Sequence, residues 1–261
     1  MQHTYKTALI TGATSGIGEA FAKKLPATTH LILTGRNGAK LKELQEELQT
    51  PTRTVDIIQA DLAQSEGIED LLMAVQTKPI DLFINNAGLG QYGAHADHTL
   101  QSEMQMVKVN IGAVTHLAHA LCPTMARHDF PTAMIVVASV AAFMPLPYFA
   151  TYAATKAYDL HLAESLAEEY KNTGLHIMAL CPGPTRTNFG QRSGMSGDSP
   201  EASYMAVEDV VQEALNGLQR KKRVVITGWQ NKVLAQLPRF LPRRLANLLA
   251  GIVVQRTRPP M

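Results

Sequence analysis

An apolar run at Thr7–Ile10 passes directly into Thr11-Gly-Ala-Thr-Ser-Gly-Ile-Gly18, and this junction restricts the possible folds more than any other stretch of the chain. Glycines at 12, 16 and 18 let a chain leave a strand sharply and enter a helix with its backbone bare. A bare helix N-terminus is where a pyrophosphate can sit, because free N–H groups and the helix dipole both favour an anion. The spacing is GxxxGxG, not the commoner GxGxxG dinucleotide fingerprint. Placed after an apolar strand, it commits the chain to a βαβ beginning and so to a parallel sheet.

The rest of the sequence repeats that unit. Short apolar runs at Leu31–Thr34, Arg53–Ile58, Leu82–Ile84, Ala133–Ala138, Leu175–Leu180 and Arg223–Ile226 alternate with helical patterns. Those patterns lie near Gly16–Leu25, Ala39–Leu48, Ser65–Val75, Thr99–Arg127, Thr151–Asn172 and Val207–Leu218. Seven short strands alternating with helices predict a single Rossmann-type doubly wound α/β domain over residues 1–228, with helices on both faces of a parallel sheet. With 261 residues, 46% of them hydrophobic, the chain can bury such a core. The stretch Arg186–Ser203, rich in Gly, Ser and Pro, is expected to form a mobile loop or short helices near the substrate.

Composition narrows the function classes. No uninterrupted apolar run is long enough for a transmembrane helix, and Met1-Gln-His-Thr-Tyr-Lys6 does not read as a signal peptide. Cys122 and Cys181 lack metal-ligand spacing and read as buried, reduced thiols of a cytoplasmic protein. The nine histidines are scattered, so no metal site is expected. A net charge of +2 hides an asymmetry: from Ala214 onward there are ten Lys/Arg and no acid, which leaves fourteen basic against twenty-two acidic residues before it.

Residues 229–261 read as a basic amphipathic extension. Leu234, Leu237, Leu241, Leu245, Leu248, Leu249 and Ile252 recur at near-helical spacing, interspersed with Lys232, Arg239, Arg243 and Arg244. Pro238 and Pro242 are expected to break the run into two helices. Such a segment packs on its own domain, covers a pocket or subunit interface, or lies on an anionic membrane surface. No nucleic-acid partner is expected.

The chemistry lies in Ser139, Tyr152 and Lys156. In a helix Tyr152 and Lys156 stand one above the other, and a cation beside a phenol favours the phenolate, making its proton useful near neutrality. The rival tyrosines Tyr148 and Tyr158 have no lysine four residues on. After the second strand, Gly35-Arg36 occurs where an acid would select NAD. The guanidinium fork of Arg36 suits a 2′-phosphate and Ser15 adds a hydroxyl, so NADP(H) is the expected cofactor, unless Arg36 points only to solvent. Val140–Phe149 is almost wholly apolar. It reads as pocket lining through Ala141, Phe143 and Met144, or as a buried loop. Met104, Met106, Met144 and Met195 are either part of such a pocket or core filler.

Together these motifs resemble the short-chain dehydrogenase/reductase family over nearly the whole chain. Thr11–Gly18 is similar to the family's cofactor loop, Asp61-Leu62 to its adenine contact, Asn85-Asn86-Ala87-Gly88 to its NNAG motif, and Cys181-Pro-Gly-Pro-Thr-Arg-Thr187 to its PG motif. Asn110, Ser139, Tyr152 and Lys156 match the order and spacing of its catalytic tetrad. The resemblance implies the strand order 3-2-1-4-5-6-7 and a cofactor site comprising Gly12, Ser15, Gly16, Ile17, Gly18, Arg36, Asp61, Leu62, Asn86, Ala87, Gly88, Tyr152, Lys156, Pro182, Gly183, Thr185 and Thr187. Asn86 is expected to serve the sheet edge as much as the cofactor. The resemblance also implies a dimer or tetramer. It implies reduction of a carbonyl in which Ser139 orients the oxygen, Tyr152 protonates it, Lys156 assists and holds the ribose, and Asn110 positions a water. An apolar ketone or 3-oxoacyl compound is the expected substrate, with Phe189 beside Ser139 in its pocket. The alternative is a non-catalytic NADP(H)-sensing protein of the same fold.

Overall fold

The computed structural model describes residues 4–195 and 204–242, and beyond them 244, 245, 248, 250 and 251. Seven strands, β1 (Thr7–Thr11), β2 (His30–Gly35), β3 (Val55–Gln59), β4 (Leu82–Asn85), β5 (Thr132–Val137), β6 (Leu175–Cys181) and β7 (Val224–Ile226), form one sheet. Its order is β3-β2-β1-β4-β5-β6-β7 and every pairing is parallel. The expected doubly wound architecture is the observed one.

Alternation along the strands explains the two layers. Leu9, Ile32, Phe83, Met134 and Ile177 point to one face, where they pack with α3 (Ser65–Val75), α5 (Val114–Met125) and α6 (Ala150–Glu169). Their neighbours Ile10, Leu31, Leu33, Ile84, Ile135 and Met178 point to the other, toward α1 (Gly16–Lys24), α2 (Gly38–Leu48) and α8 (Val207–Gln219). A parallel sheet buried on both faces needs such continuous apolar strands. Local signals set the helix starts: Asn37 caps α2 by accepting from Lys40 N at 3.0 Å, and Thr99 caps α4 (Leu100–Val107) by accepting from Ser102 N at 3.2 Å.

The single helix expected over Thr99–Arg127 is interrupted. Between α4 and α5 the chain widens into a π-turn at Lys108–Ala113, centred on Asn110. Such wide turns appear mostly at functional sites, and periodicity alone does not reveal them. Part of the stretch Arg186–Ser203 folds as the short helix α7 (Phe189–Arg192), and residues 196–203 of that expectation lie outside the described residues.

A second difference concerns the extension. In the extension, α9 (Trp229–Phe240) runs through Pro238 and stops before Pro242, and beyond it Arg244, Leu245, Leu248, Ala250 and Gly251 are again helical. Near a C-terminus a proline costs one intrahelical bond and its neighbours can absorb the rest, so only Pro242 acts as a boundary. Asn231 Nδ2 donates to Thr227 O at 2.7 Å, Lys232 pairs with Glu213 at 3.4 Å, and a Cβ on Gly251 would lie 3.5 Å from Pro147. The apolar side chains of Trp229, Val233, Leu237 and Phe240 stay exposed. Leu249, Ile252 and Arg243 lie outside the described residues, as does the side chain of Arg239. No helix of the described residues is long and apolar enough to cross a membrane.

Candidate active site

The C-terminal ends of β1, β4, β5 and β6 open onto one edge, where a doubly wound sheet binds its ligand. At β1 the chain turns through Gly12 (φ 63°) and Gly16 (φ 58°), left-handed conformations that any other residue would hold at a cost. Gly18 serves another purpose: a Cβ there would stand 2.5 Å from Gly12 O and 2.6 Å from Asn86 Nδ2. Only a bare backbone lets α1 start this close to the strand.

Thr11 and Asn86 lock this loop to β4. Thr11 Oγ1 accepts from both Asn86 N and Ala87 N at 2.9 Å, while Asn86 Nδ2 donates to Thr11 O at 2.8 Å and Gly12 O at 3.3 Å. Asn86 therefore builds the cradle through its side chain. Asn85, its buried neighbour, donates to Val114 O at 3.2 Å. Arg36 is exposed at the end of β2, and Asp61 turns its own loop by accepting from Ala63 N at 3.1 Å. Leu62 is buried beside it.

The tetrad is assembled from three elements: the end of β5 (Ser139), the π-turn (Asn110) and α6 (Tyr152 and Lys156). Ser139, at the end of β5, accepts from Ala141 N at 3.1 Å, and this leaves its hydroxyl proton uncommitted. Val140 N donates to Pro182 O at 2.9 Å, which ties that turn to the PG segment. Lys156 is 4% exposed, with its Nζ donating to Val137 O at 2.7 Å and Asp159 Oδ2 at 2.9 Å. Burial pulls the Lys156 ammonium down; Asp159 and Tyr152 more than restore it, leaving it above the ordinary lysine value. Asn110, fully buried on the π-turn, accepts from Leu89 N at 2.8 Å and donates to Leu89 O and Thr155 Oγ1, both at 2.9 Å. Thr155 in turn donates to Tyr152 O at 2.8 Å. Both N–H groups of the Asn110 amide are committed, so its side chain fixes the loop after β4 against α6. The only capacity it has left is a lone pair on Oδ1.

Aromatic rings wall the site. Tyr152 lies 5.4 Å from Phe189 and 5.6 Å from Phe149, which lies 5.1 Å from Tyr92 (ring centroids). Phe189 packs over Gly90, beside the Tyr152 ring. Phe143 packs on the core and lines a separate groove of about 550 Å³ with Glu164, Glu213 and Asn216. It ends a 3₁₀ turn over Val140–Phe143. Ala141 is buried and Met144 half-buried, whereas Met104 is exposed on α4 and Met106 is core. Tyr158 is spent on a 2.7 Å hydrogen bond with Thr115. Cys122 and Cys181 are free and buried, and burial pushes each thiol up to about 12.

The PG segment completes the edge. Pro182 is buried, and Thr185 Oγ1 donates to Gly183 O at 2.8 Å. Thr187 stands over the glycine loop, 3.2 Å from where a Gly16 Cβ would be, and half-buried Ile17 follows at the start of α1. Gly88 faces Lys156, whose Nζ lies 3.3 Å from its Cβ position. Sequence reading missed three residues here. Arg192 on α7 donates to Ser15 Oγ at 2.8 Å across 177 residues, Asp159 pairs with Lys156, and Tyr92 adds a ring to the wall. The i+3 spacing of Asp159 from Lys156 was the one available signal.

A parallel sheet of this order, with a glycine loop at β1 and a Tyr/Lys pair at the same edge, defines a nicotinamide-dependent oxidoreductase fold. The family model for short chain dehydrogenases matches residues 6–196, and the chain belongs to that family. It is 31% identical over 214 residues to the sulfoacetaldehyde reductase of Chromohalobacter salexigens, covering 78% of this chain and 84% of that one. A short-chain dehydrogenase from Sphingobium yanoikuyae in complex with NADPH has a similar structure (TM-score 0.81, 30% identity, 90% of this chain, 94% of that one). So does the bulky-bulky ketone specific alcohol dehydrogenase of Comamonas testosteroni (TM-score 0.77, 31% identity, 91% and 93%).

Proposed function

We propose that this chain is an NADPH-dependent reductase that converts an apolar ketone or 3-oxoacyl compound to an alcohol, and runs in reverse as a dehydrogenase. The observation that carries the reading is the convergence of three groups on one edge: the Ser139 hydroxyl with its proton free, the Tyr152 phenol and the buried Lys156 ammonium. The glycine cradle that a Cβ at Gly18 would fill suits the pyrophosphate of a dinucleotide. Gly12, Gly16, Ile17 and Gly18 would hold that pyrophosphate, Asp61 and Leu62 the adenine, and Ala87, Gly88, Pro182, Gly183, Thr185 and Thr187 the nicotinamide end. Arg36, exposed at the end of β2, supports a 2′-phosphate.

When bound, the cofactor supplies the hydride. Ser139 donates to the substrate oxygen and orients it. Tyr152 hands its proton to that oxygen as the carbon is reduced, and takes one back from the alcohol in the reverse direction. Lys156 favours the phenolate that is left and holds the nicotinamide ribose through its third N–H. Asn110 positions a water that returns the proton from solvent, using the lone pair its side chain retains. Phe189, Phe149 and Tyr92 around Tyr152 favour an apolar substrate, as does the bulky ketone acted on by the similar Comamonas enzyme. Residues 229–261 are a C-terminal extension of a catalytic domain spanning 1–228, and the enzyme is a cytoplasmic homo-oligomer.

The test is NADPH consumption against a panel of ketones, aldehydes, 3-oxoacyl thioesters and steroids, with NADH and Tyr152→Phe as controls. Turnover that favours NADPH and bulky ketones, and that vanishes in Tyr152→Phe, is expected. Full activity in Tyr152→Phe would overturn the mechanism. Tight NADPH binding without turnover on any compound would overturn the reductase reading in favour of a cofactor sensor.

A further inference from the structure

One buried charge on α6 is not used by the reaction above. Asp159 follows Lys156 by three residues, and its side chain has no solvent exposure. Its Oδ2 accepts from Lys156 Nζ at 2.9 Å, while the buried Oδ1 has no hydrogen-bond partner. The flanking residues of the same helix face, Ala153, Leu160, Ala163 and Ala167, are buried and apolar. Burying an acid there carries a desolvation cost that Lys156 offsets, and removing either partner would leave the other charge buried and unpaired.

An ammonium carries three protons. At Lys156, one goes to Val137 O on the sheet and one to Asp159 further along the helix. Gly88 stands on the remaining side, and its lack of a Cβ leaves that side open. A lysine this deeply buried, with no counter-ion, loses its charge readily, because low-polarity surroundings disfavour the ammonium. Without the charge it could not favour the Tyr152 phenolate.

We propose that Asp159 is a positioning residue for the reaction: it keeps Lys156 charged throughout the working pH range and aims the third N–H across Gly88 toward the cofactor ribose. The proposal rests on the roles given above to Tyr152 and Lys156. The groups facing the pair are Tyr152 on α6, Cys181 at the end of β6 and Ser139 at the end of β5, with Glu164 further along α6 acting on Cys181. Cys181, with its thiol near 12, stays neutral, so Asp159 is the anion that matters at working pH. Burial lifts the Asp159 carboxyl above its ordinary value despite the pull of Lys156, so the pair fails first from the acid side.

Alcohol oxidation needs Tyr152 to accept a proton, so kcat/KM rises with pH and should level off in the unaltered enzyme. Asp159→Asn keeps the shape and an acceptor for Nζ but removes the charge. Lys156 then loses its proton within the assay range, and an alkaline limb appears, displaced downward by about one pH unit or more, turning the plateau into a bell. A uniform fall in kcat with an unchanged pH profile would reduce Asp159 to a structural role and overturn the proposal. A second measurement needs no turnover: NMR titration of the Lys156 Nζ in the NADP-bound protein, with lysine nitrogen labelled. Deprotonation above the ordinary lysine value is expected, and a midpoint below it overturns the proposal. If the unaltered protein turns over no carbonyl or alcohol, the reductase reading fails by itself, and the titration, repeated in Asp159→Asn, still decides whether Asp159 keeps Lys156 charged.

Discussion

The two halves of the site are held together by different means. On the cofactor side, the β1–α1 turn and the loop after β4 are joined by four hydrogen bonds between Thr11, Gly12, Asn86 and Ala87, with Gly18 where a side chain would run into Gly12 and Asn86. On the substrate side, α7 and the loop before α6 are held by ring contacts, the exposed Arg192–Ser15 bond and two backbone bonds to the loop after β4, Tyr92 N to Ser193 O at 2.7 Å and Gly93 N to Tyr148 O at 3.0 Å. Tyr148 in that loop holds φ at 66°, a left-handed conformation that costs a bulky residue about 1–2 kcal/mol. Buried polar bonds fix a geometry because breaking one leaves an unsatisfied group. Tilted rings set about 5–6 Å apart slide at little cost. A dinucleotide presents the same shape on every turnover, whereas substrates vary. The rigid half recognises the constant partner and the yielding half meets the variable one.

The sharpest way to break this division is at its seam. Tyr152 joins the halves, and Tyr152→Phe keeps the ring among Phe149 and Phe189 while removing the proton. Turnover should fall by about 10²–10⁴-fold, with NADPH affinity measured by fluorescence unchanged. A parallel loss of NADPH binding would mean that the phenol belongs to the cofactor half.

Thr11→Val tests the rigid half directly. Valine has the same shape but leaves the N–H groups of Asn86 and Ala87 without their acceptor, at a cost of about 1–3 kcal/mol each. Thermal denaturation should show a lower Tm, and NADPH affinity should fall with it. A Tm equal to the parent's would show that the cradle tolerates movement after all.

Arg36→Asp refines the same half. An acid at the end of β2 repels a 2′-phosphate and accepts ribose hydroxyls. The NADPH:NADH ratio of kcat/KM should fall by about ten-fold or more, as loss of a charged hydrogen bond predicts. An unchanged ratio would remove Arg36 from the phosphate site and leave Arg192, beside Ser15, as the cation to test next.

The contrast also explains what the sequence could reveal. Thr11–Gly18 and Asn85–Gly88 were legible because fixed backbone geometry requires particular residues at particular spacings. The strands were legible because burial on both faces leaves near-continuous apolar runs. The π-turn at Asn110 was not, since apolar periodicity reads straight through one extra residue. An apolar segment between Ser139 and Tyr152 does not say which way each side chain turns, and Phe143 lies on the core beside a separate groove. Arg192 was hidden because no sequence pattern marks a contact across 177 residues.

The smallest expected effect belongs to the yielding half. Phe189 sits between Tyr152 and Gly90, 5.4 Å from the Tyr152 ring, on a four-residue helix with few ties to the core. Phe189→Ala should leave stability within about 0.5 kcal/mol of the parent's, because the side chain is half-exposed and its loss leaves no sealed cavity. Steady-state assays should then show KM for bulky ketones rising several-fold, about 1 kcal/mol of lost apolar contact, with kcat and NADPH affinity nearly constant. A KM effect confined to bulky substrates would place Phe189 in the variable half as an adaptable wall. An equal loss in kcat for small and bulky ketones would mean that Phe189 orients Tyr152 itself. The boundary between the rigid and yielding halves would then run along α7 instead of through Tyr152.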